Sequence, residues 1–163
     1  MLWAGGPQTA VEVMQQLPSG HGWAQKTVNT FLSRLVEVTN AHDLQALVDC
    51  FTPDYVNEAP LHPSRGFSGS AQVRSNWEQI FAFVPDVQAA VQDQAVDGHR
   101  VWSEWEMRGT RLDRSVHHLR GVIVFELDGP RASSARFYLE PVDETVTSVA
   151  EAVQHQIRSG APR

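Results

Sequence analysis

The sequence lacks the features that would indicate a disulfide-bonded, membrane-bound, secreted or nucleic-acid-binding protein. Of its 163 residues one is a cysteine, Cys50, which excludes an internal disulfide; its place in an apolar run predicts a buried thiol. Net charge is −6 and the lysines and arginines are scattered, which disfavours nucleic acids and anionic membranes as partners. No apolar run reaches the roughly 20 residues that span a bilayer, and no secretory signal is visible. We therefore predict one cytoplasmic domain.

Signals for metals and bound cofactors are also missing. The seven histidines are dispersed, and none stands at ligand spacing beside a carboxylate. No glycine-rich phosphate loop follows a strand to open a helix, and no Gly-x-Ser-x-Gly string is present. The sequence therefore predicts a protein without a metal or a cofactor.

What the sequence does contain is a run of three alternating segments in its second half. HRVWSEWEMRGT (99–110), VHHLRGVIVFEL (116–127) and ASSARFYLEP (132–141) have the period-two pattern of strands with one buried face. Asp97-Gly98 and Asp128-Gly129-Pro130 are turn signals before the first and the third segment. The predicted inner face comprises Val101, Ser103, Trp105, Met107, Leu119, Gly121, Ile123, Phe125, Ala135, Phe137 and Leu139.

Helical patterns dominate the first half. An apolar stripe predicts a helix over 23–40, and Asp43 is placed to cap a short second helix that Pro53 closes. A short strand is expected at 55–59, a third helix capped by Ser70 before Pro85, and a strand at 87–96. Asp143 is the expected cap of a last helix, which would carry Val146, Val149, Ala150, Val153 and Ile157.

This order predicts an α+β fold in which a curved antiparallel sheet wraps on N-terminal helices as a cone, with an extra C-terminal helix. We divide the chain into an N-terminal appendage (1–22), the α+β domain (23–143) and a C-terminal helix and tail (144–163). One end of such a cone is left partly unfilled, and mouths of this kind bind small apolar molecules.

Several strings resemble the SnoaL-like branch of the nuclear transport factor two superfamily. They are FTPDYVNEAPLHPSRGFSG, VWSEWEMRGT, RGVIVFELDG and ARFYLEPVDE, and the resemblance covers roughly residues 23 to 143. It implies the cystatin-like α+β barrel fold. Relatives include ketosteroid isomerase, polyketide cyclases and limonene epoxide hydrolase, so fold alone does not select a reaction.

The charged residues of those relatives do not carry over to this chain. Where the epoxide hydrolases have an Arg and two Asp, this sequence has Trp105, Met107 and Phe137. The Tyr and Asn that hold water in the hydrolases fall on Val56 and Glu58, or, after a one-residue slip, on Tyr55 and Asn57. The resemblance therefore does not support water activation by the charged triad, and the register of this strand stays open.

Two ionisable residues are candidates for proton transfer. Glu58 lies near the end of the first strand, where the cone should open, and is the expected general acid or base. Alternation places His117 on the inner face, where it could form a relay with Glu58 or donate to a substrate oxygen. Tyr55 and Asn57 would orient the substrate, and the predicted pocket wall is Trp77, Phe81, Trp105, Met107, Leu119 and Phe137.

The outer sheet face combines charged and aromatic residues. Such a face predicts cross-strand ion pairs and a homodimer interface, because Trp, Tyr and Arg are enriched at protein contacts. The residues of the predicted interface are Trp102, Glu104, Glu106, Arg120 and Tyr138. An alternative is that this polar face lines the cavity, which would make Glu104, Glu106, Arg120 and Tyr138 the site.

Two functions remain open from sequence. One is a SnoaL-like protein that binds a small hydrophobic molecule in its cone and catalyses acid–base chemistry there, such as isomerisation, cyclisation or epoxide opening. The other is a ligand-binding or dimerisation module without enzymatic activity. Whether an ionisable group reaches an open cavity distinguishes the two.

Overall fold

The computed structural model describes residues 21–159. The predicted appendage, except for its last two residues, lies outside this range. The elements in chain order are α1 (His21–Asn40), α2 (Leu44–Val48), β1 (Phe51–Glu58), a 3₁₀ turn (Pro63–Arg65), β2 (Phe67–Ser68), α3 (Ser70–Phe83), β3 (Gln88–Asp97), β4 (Arg100–Thr110), β5 (Val116–Asp128), β6 (Arg131–Pro141) and α4 (Val149–Ser159).

The strands form one six-stranded sheet in the order β2-β1-β6-β5-β4-β3. Strands β3 to β6 are the predicted antiparallel meander. The β3–β4 and β5–β6 connections are tight turns in which Gly98 and Gly129 have φ of 58° and 57°. β1 pairs parallel to β6, so the sheet is mixed rather than wholly antiparallel. This pairing was not predicted because the two strands are distant in sequence, and no hairpin fixes their relative direction.

The core lies between the helices and the inner face of the sheet. From α1 it takes the predicted apolar stripe, which includes Phe31 and Leu35, and from β4 the alternating positions Val101, Trp105 and Met107. Phe31 meets Phe125 of β5 edge-on with ring centroids 5.1 Å apart. The apolar stripe of α1 and the apolar face of the sheet therefore pack against each other in one core.

β5 contains a glycine with a positive φ that lies close against β6. Gly121 has φ of 152°, and a Cβ atom added there would lie 2.0 Å from the backbone oxygen of Tyr138 on β6. A side chain at this position would collide with the neighbouring strand in a backbone region that L-residues rarely adopt. This position therefore requires glycine.

The start of β1 was predicted wrongly. β1 begins at Phe51 rather than at Tyr55, and it includes Pro53, which had been expected to close α2. The pairing of β1 with β6 is irregular between Phe51 and Val56, so a residue without an N–H group is tolerated there.

The predicted Asp43 cap of α2 is confirmed, because the Ala46 amide donates to Asp43 Oδ1 at 3.0 Å. The starts of two other helices differ from expectation. The residue that precedes α3 is Gly69, and Ser70 is already helical. α4 starts six residues after the predicted cap Asp143. Ser148 and Glu151 form its reciprocal start: the Ser148 amide donates to Glu151 Oε2 at 3.0 Å, and the Glu151 amide donates to Ser148 Oγ at 3.3 Å.

The apolar side of α4 does not join the core. Val149, Val153 and Ile157 are all exposed, and no residue of α4 is buried within the described part of the chain. Residues 21–159 include no helix that is long and apolar enough to cross a membrane. The cytoplasmic location stays a prediction.

Candidate functional site

The inner face of the sheet and the helices enclose a cavity of about 330 Å³, with β1, β4, β5 and β6 on one side and α1 and α3 on the other. This volume is near the lower end of the roughly 300–1,000 Å³ of small-molecule sites. Most lining side chains are apolar, among them Leu35, Phe51, Val73, Trp77, Ile80, Trp105, Met107, Leu119, Ile123, Phe125, Phe137 and Leu139.

β1 contributes the buried polar pair of the cavity. The Tyr55 hydroxyl donates to Asn57 Oδ1 at 3.0 Å, and both residues line the cavity. Burial raises the pKa of Tyr55 well above its usual value, so the phenol stays protonated and remains a donor. Asn57 Nδ2 donates to no acceptor within residues 21–159. Both residues lie on the inner side of β1, as the one-residue slip requires.

The same register turns Glu58 away from the cavity. Neighbouring strand residues point to opposite faces, and Glu58 follows the inward-facing Asn57, so its carboxylate is exposed and does not belong to the lining. The expectation that Glu58 faces the apolar pocket is therefore wrong. The structure does not bring it together with His117, and the predicted relay between them has no support.

His117 of β5 lines the cavity, on the face that alternation predicted. Its Nδ1 atom lies 3.4 Å from Nη2 of Arg111, and its Nε2 atom is buried without a hydrogen-bond partner among the described residues. Burial, and secondarily the Arg111 charge, lowers the pKa of His117 below 6.5. Because a guanidinium only donates, Nδ1 must accept, which places the proton of the neutral ring on Nε2. His117 is therefore arranged as a hydrogen-bond donor.

The mouth of the cavity carries charged groups that sequence reasoning missed. His62 Nε2 lies 3.0 Å from Glu140 Oε1, and both residues and Arg65 belong to the lining. Alternation on β6 predicts that Glu140 points away from Leu139, but Glu140 is the penultimate residue of the strand and there it borders the cavity. His62 belongs to the loop after β1, and loop residues have no periodicity that would reveal such a pair.

Five of the six predicted wall residues lie along the cavity: Trp77, Trp105, Met107, Leu119 and Phe137. Phe81 does not belong to the lining. Its ring stacks on the ring of His42 with centroids 4.6 Å apart, and its centroid lies 5.3 Å from that of Trp77. Phe81 therefore supports the wall from behind.

Trp105 is held in place by its own hydrogen bonds. Its indole Nε1 donates to Ser103 Oγ at 2.8 Å, and Ser103 donates to the Ile123 carbonyl at 2.8 Å. Ser103 and Trp105 are both buried. This part of the wall is thus fixed and presents an apolar ring to the cavity.

The outer sheet face carries ion pairs between and within strands. Arg120 reaches Glu104 at 3.3 Å, and Glu106 accepts from His118 at 2.9 Å and lies 2.7 Å from Arg108. The hydrogen bond from His118, followed by that from Arg108, lowers the pKa of Glu106. None of Glu104, Glu106, Arg120 and Tyr138 lines the cavity, so the alternative in which this face forms the site is wrong.

The charges inside the cavity are few. His62, Arg65 and Glu140 lie at the mouth. His117 is the other histidine of the lining. No three His, Cys, Asp or Glu side chains within residues 21–159 are grouped so that they could hold a metal ion. The arrangement is suited to holding an apolar body with one or two oxygen atoms.

The comparisons with known proteins agree with this geometry. The model of the SnoaL-like domain family matches residues 32–135, more than half of the chain, and the chain belongs to this family. A second model, that of the penicillinase repressor, matches residues 1–40. Half of that stretch lies outside the described residues and the other half is α1. A comparison with curated proteins gives no match.

Solved structures show the same fold at low sequence identity. An NTF2-like protein from Anabaena variabilis ATCC 29413 is 16% identical, with a TM-score of 0.63 over 79% of this chain and 96% of that one. A protein from Catenulispora acidiphila DSM 44928 with a ketosteroid isomerase-like fold, solved with trimethylamine, is 14% identical, with a TM-score of 0.58 over 66% and 84%. A SnoaL-like protein from Shewanella denitrificans OS-217 with a provisional polyketide cyclase assignment is 13% identical, with a TM-score of 0.57 over 83% and 97%. This is the NTF2-like α+β fold.

Proposed function

We propose that this protein binds a small, mainly apolar molecule in its cavity and carries out cofactor-independent acid–base chemistry on it, such as isomerisation or cyclisation. One observation supports this most: the apolar cavity of about 330 Å³ has polar side chains at only a few places, Thr39 on α1, Tyr55–Asn57 on β1, Asn76 on α3, His117 on β5 and the mouth. Ligand sites typically combine an apolar wall with few polar groups that fix orientation.

The polar groups define what the ligand carries. Neutral His117 offers an N–H donor from Nε2, and a ligand oxygen would supply the acceptor that this buried atom lacks. Asn57 Nδ2 is a second available donor. We therefore propose a ligand that carries at least one carbonyl, ether or hydroxyl oxygen on an apolar body.

Epoxide opening by the charged triad is the least supported of the reactions. The positions that match the triad hold Trp105, Met107 and Phe137, which are apolar and line the cavity. Tyr55 and Asn57 could hold a water molecule, but no carboxylate within residues 21–159 is hydrogen-bonded to either of them to activate it. Ligand binding without catalysis is the second candidate function, and the uncharged cavity interior favours it.

Binding is tested with matched variants on neighbouring positions of β6. Phe137→Trp enlarges a side chain in the cavity wall, whereas Tyr138→Trp enlarges one on the opposite face. Carvone, styrene oxide and progesterone are suitable probes, measured by calorimetry. We expect at least one probe to bind the wild type, to bind Phe137→Trp more than tenfold more weakly, and to bind Tyr138→Trp unchanged. Equal affinity for both variants would remove the cavity from the proposal.

Catalysis is tested by turnover of the probe that binds. Loss of turnover with retained binding in Asn57→Leu or His117→Phe would support an enzyme. Tight binding of all probes with no product over long incubation would leave the non-catalytic candidate.

We also propose a homodimer through the outer sheet face. Trp102 is 46% exposed there, with the Arg136 guanidinium 5.9 Å from its ring centre, and Glu104, Glu106, Arg120 and Tyr138 lie on the same face of the sheet. Exposed aromatic residues among arginines are typical of interface centres. Trp102→Glu should shift sedimentation toward the monomer, whereas Leu112→Glu, an exposed apolar residue of the β4–β5 loop, should not. A dimer that persists in Trp102→Glu would contradict this interface.

A further inference from the structure

At the mouth of the cavity a histidine and a carboxylate are paired. His62 Nε2 is 3.0 Å from Glu140 Oε1, and both side chains are 39% exposed, so they border solvent on one side and the cavity on the other. An exposed His–Glu contact of this kind contributes little to stability. Its position on the lining of an apolar cavity is what suggests a chemical role.

The loop holds His62 in place. Its backbone N–H donates to the Ala59 carbonyl at 2.8 Å, and its own carbonyl accepts from the Arg65 N–H at 2.8 Å. Both backbone groups of the residue are therefore engaged, one with the end of β1 and one with the 3₁₀ turn. Glu140 lies on β6, where it is aligned with Arg120 of β5. The two partners are thus fixed by separate, well-supported elements.

The pairing determines the chemistry of the ring. When Nε2–H donates to the Glu140 carboxylate, the neutral imidazole has its lone pair on Nδ1. Within residues 21–159 no group binds His62 Nδ1. A base whose second nitrogen is oriented by a carboxylate is the arrangement that enzymes use for proton abstraction.

The interior groups are suited to other roles. Tyr55 is protonated and bonded to Asn57, His117 is arranged as a donor, and Glu58 faces solvent. The charged neighbours at the mouth are Arg65 and, behind His117, Arg111. His62 is thus the group of the lining with a free basic atom oriented by an anionic partner.

We propose that His62 is the catalytic general base of this cavity and that Glu140 is its positioning residue. His62 Nδ1 removes a C–H proton from a ligand whose apolar body fills the cavity, and Glu140 stabilises the imidazolium that forms. The substrate class is an apolar molecule with an acidic C–H bond beside an electron-withdrawing group. This inference rests on the proposed cavity function.

Nitrobenzisoxazole is a probe that tests the base without knowledge of the natural substrate. The base removes the proton from the ring carbon, the C–H electron pair completes a C≡N triple bond, and the N–O bond breaks to release a phenolate. No water, metal or oxidant takes part. The coloured product gives the rate directly.

We expect the wild type to accelerate this reaction over buffer, with saturation by substrate and inhibition by a cavity ligand such as carvone. His62→Gln should lower kcat/KM by roughly 10²-fold, the typical contribution of a general base. Glu140→Gln keeps an acceptor oxygen but loses the charge that stabilises the imidazolium, so kcat should fall less than in His62→Gln while KM stays unchanged. His155→Gln, on exposed α4, is the matched control and should react as the wild type.

The outcomes separate the two proposals. If nitrobenzisoxazole and carvone bind but the rate is unchanged in His62→Gln, the base assignment is overturned while the cavity function stands. An unchanged kcat in Glu140→Gln overturns the role of Glu140. If no probe binds, the cavity function and the base assignment fail together. Because both residues are partly exposed, circular dichroism should show both variants folded.

Discussion

Tyr55 and Asn57 lie two residues apart on β1 with both side chains turned inward, and the tyrosine hydroxyl donates to the asparagine oxygen at 3.0 Å. This relationship fixes which residues of β1 the cavity meets. It also explains why Glu58 is exposed, since neighbouring residues of a regular strand point to opposite faces. The first prediction concerns this pair.

Tyr55→Phe should destabilise the fold. Tyr55 is 1% exposed, and removal of its hydroxyl leaves the buried Asn57 Oδ1 without its donor. The loss should be about 1–3 kcal/mol, the usual cost of an unsatisfied buried polar atom. Urea unfolding measures it. Tyr138→Phe, which removes the same hydroxyl from the outer face, is the control and should stay within about 0.5 kcal/mol of the wild type. Equal stability of both variants would contradict a structural role for the pair.

Gly121→Ala should be among the most damaging small substitutions in the chain. The added Cβ would lie 2.0 Å from the Tyr138 backbone oxygen, at a φ of 152°. Backbone strain of this kind alone costs about 1–3 kcal/mol, and the neighbouring strand must also move. Thermal unfolding should show a large fall in Tm. Gly22→Ala, in α1 with open space around it, should cause no loss, because alanine is the better helix former. A Gly121→Ala protein as stable as Gly22→Ala would show that β5 does not require glycine at this position.

His117 should make stability depend on pH below neutrality. Its pKa in the folded protein is below 6.5, because burial and Arg111 disfavour the charged ring, whereas the unfolded chain has the ordinary value. As pH falls through 6.5 the unfolded state binds a proton that the folded state does not, so stability is complete above this pH and is lost below it.

His117→Gln should remove that part of the pH dependence. The measurement is the free energy of unfolding at pH values on either side of 6.5, compared between wild type and variant. His155→Gln, on exposed α4, is the control and should keep the wild-type slope. If the free energy of unfolding of the wild type changed more steeply with pH above 6.5 than below it, the assignment to His117 would be contradicted.

Ser148→Ala should loosen α4 without changing the rest of the fold. Ser148 and Glu151 satisfy each other's amides at the start of this helix, and such caps contribute about 0.5–2 kcal/mol to the helix. Since no residue of α4 is buried, the global Tm should not change. Hydrogen exchange should therefore accelerate at the amides of α4 alone. Asp143→Ala, at the predicted cap, should leave α4 exchange unchanged. A fall in global Tm would show that α4 is coupled to the core.

Much of the fold could be predicted because the relevant signals are local. Alternation in 99–141 identified the meander and its inner face, so Val101, Ser103, Trp105 and Met107 were expected to be buried and are buried. The stripe of α1 and the Asp43 cap depend on neighbours within a few residues and were also predicted correctly. The amphipathic pattern of α4 predicted a helix but not its surroundings, and its apolar side remains exposed.

The sequence by itself determined the fold class, the family and the inner face of the antiparallel strands, because side-chain periodicity and turn residues act over short distances. The tertiary structure decided the rest. The parallel pairing of β1 with β6 set the register that turns Tyr55 and Asn57 inward and Glu58 outward. The same pairing brings the loop after β1 to the end of β6, where His62 meets Glu140. A contact between residues so distant along the chain depends on how strands associate, and no local pattern encodes it.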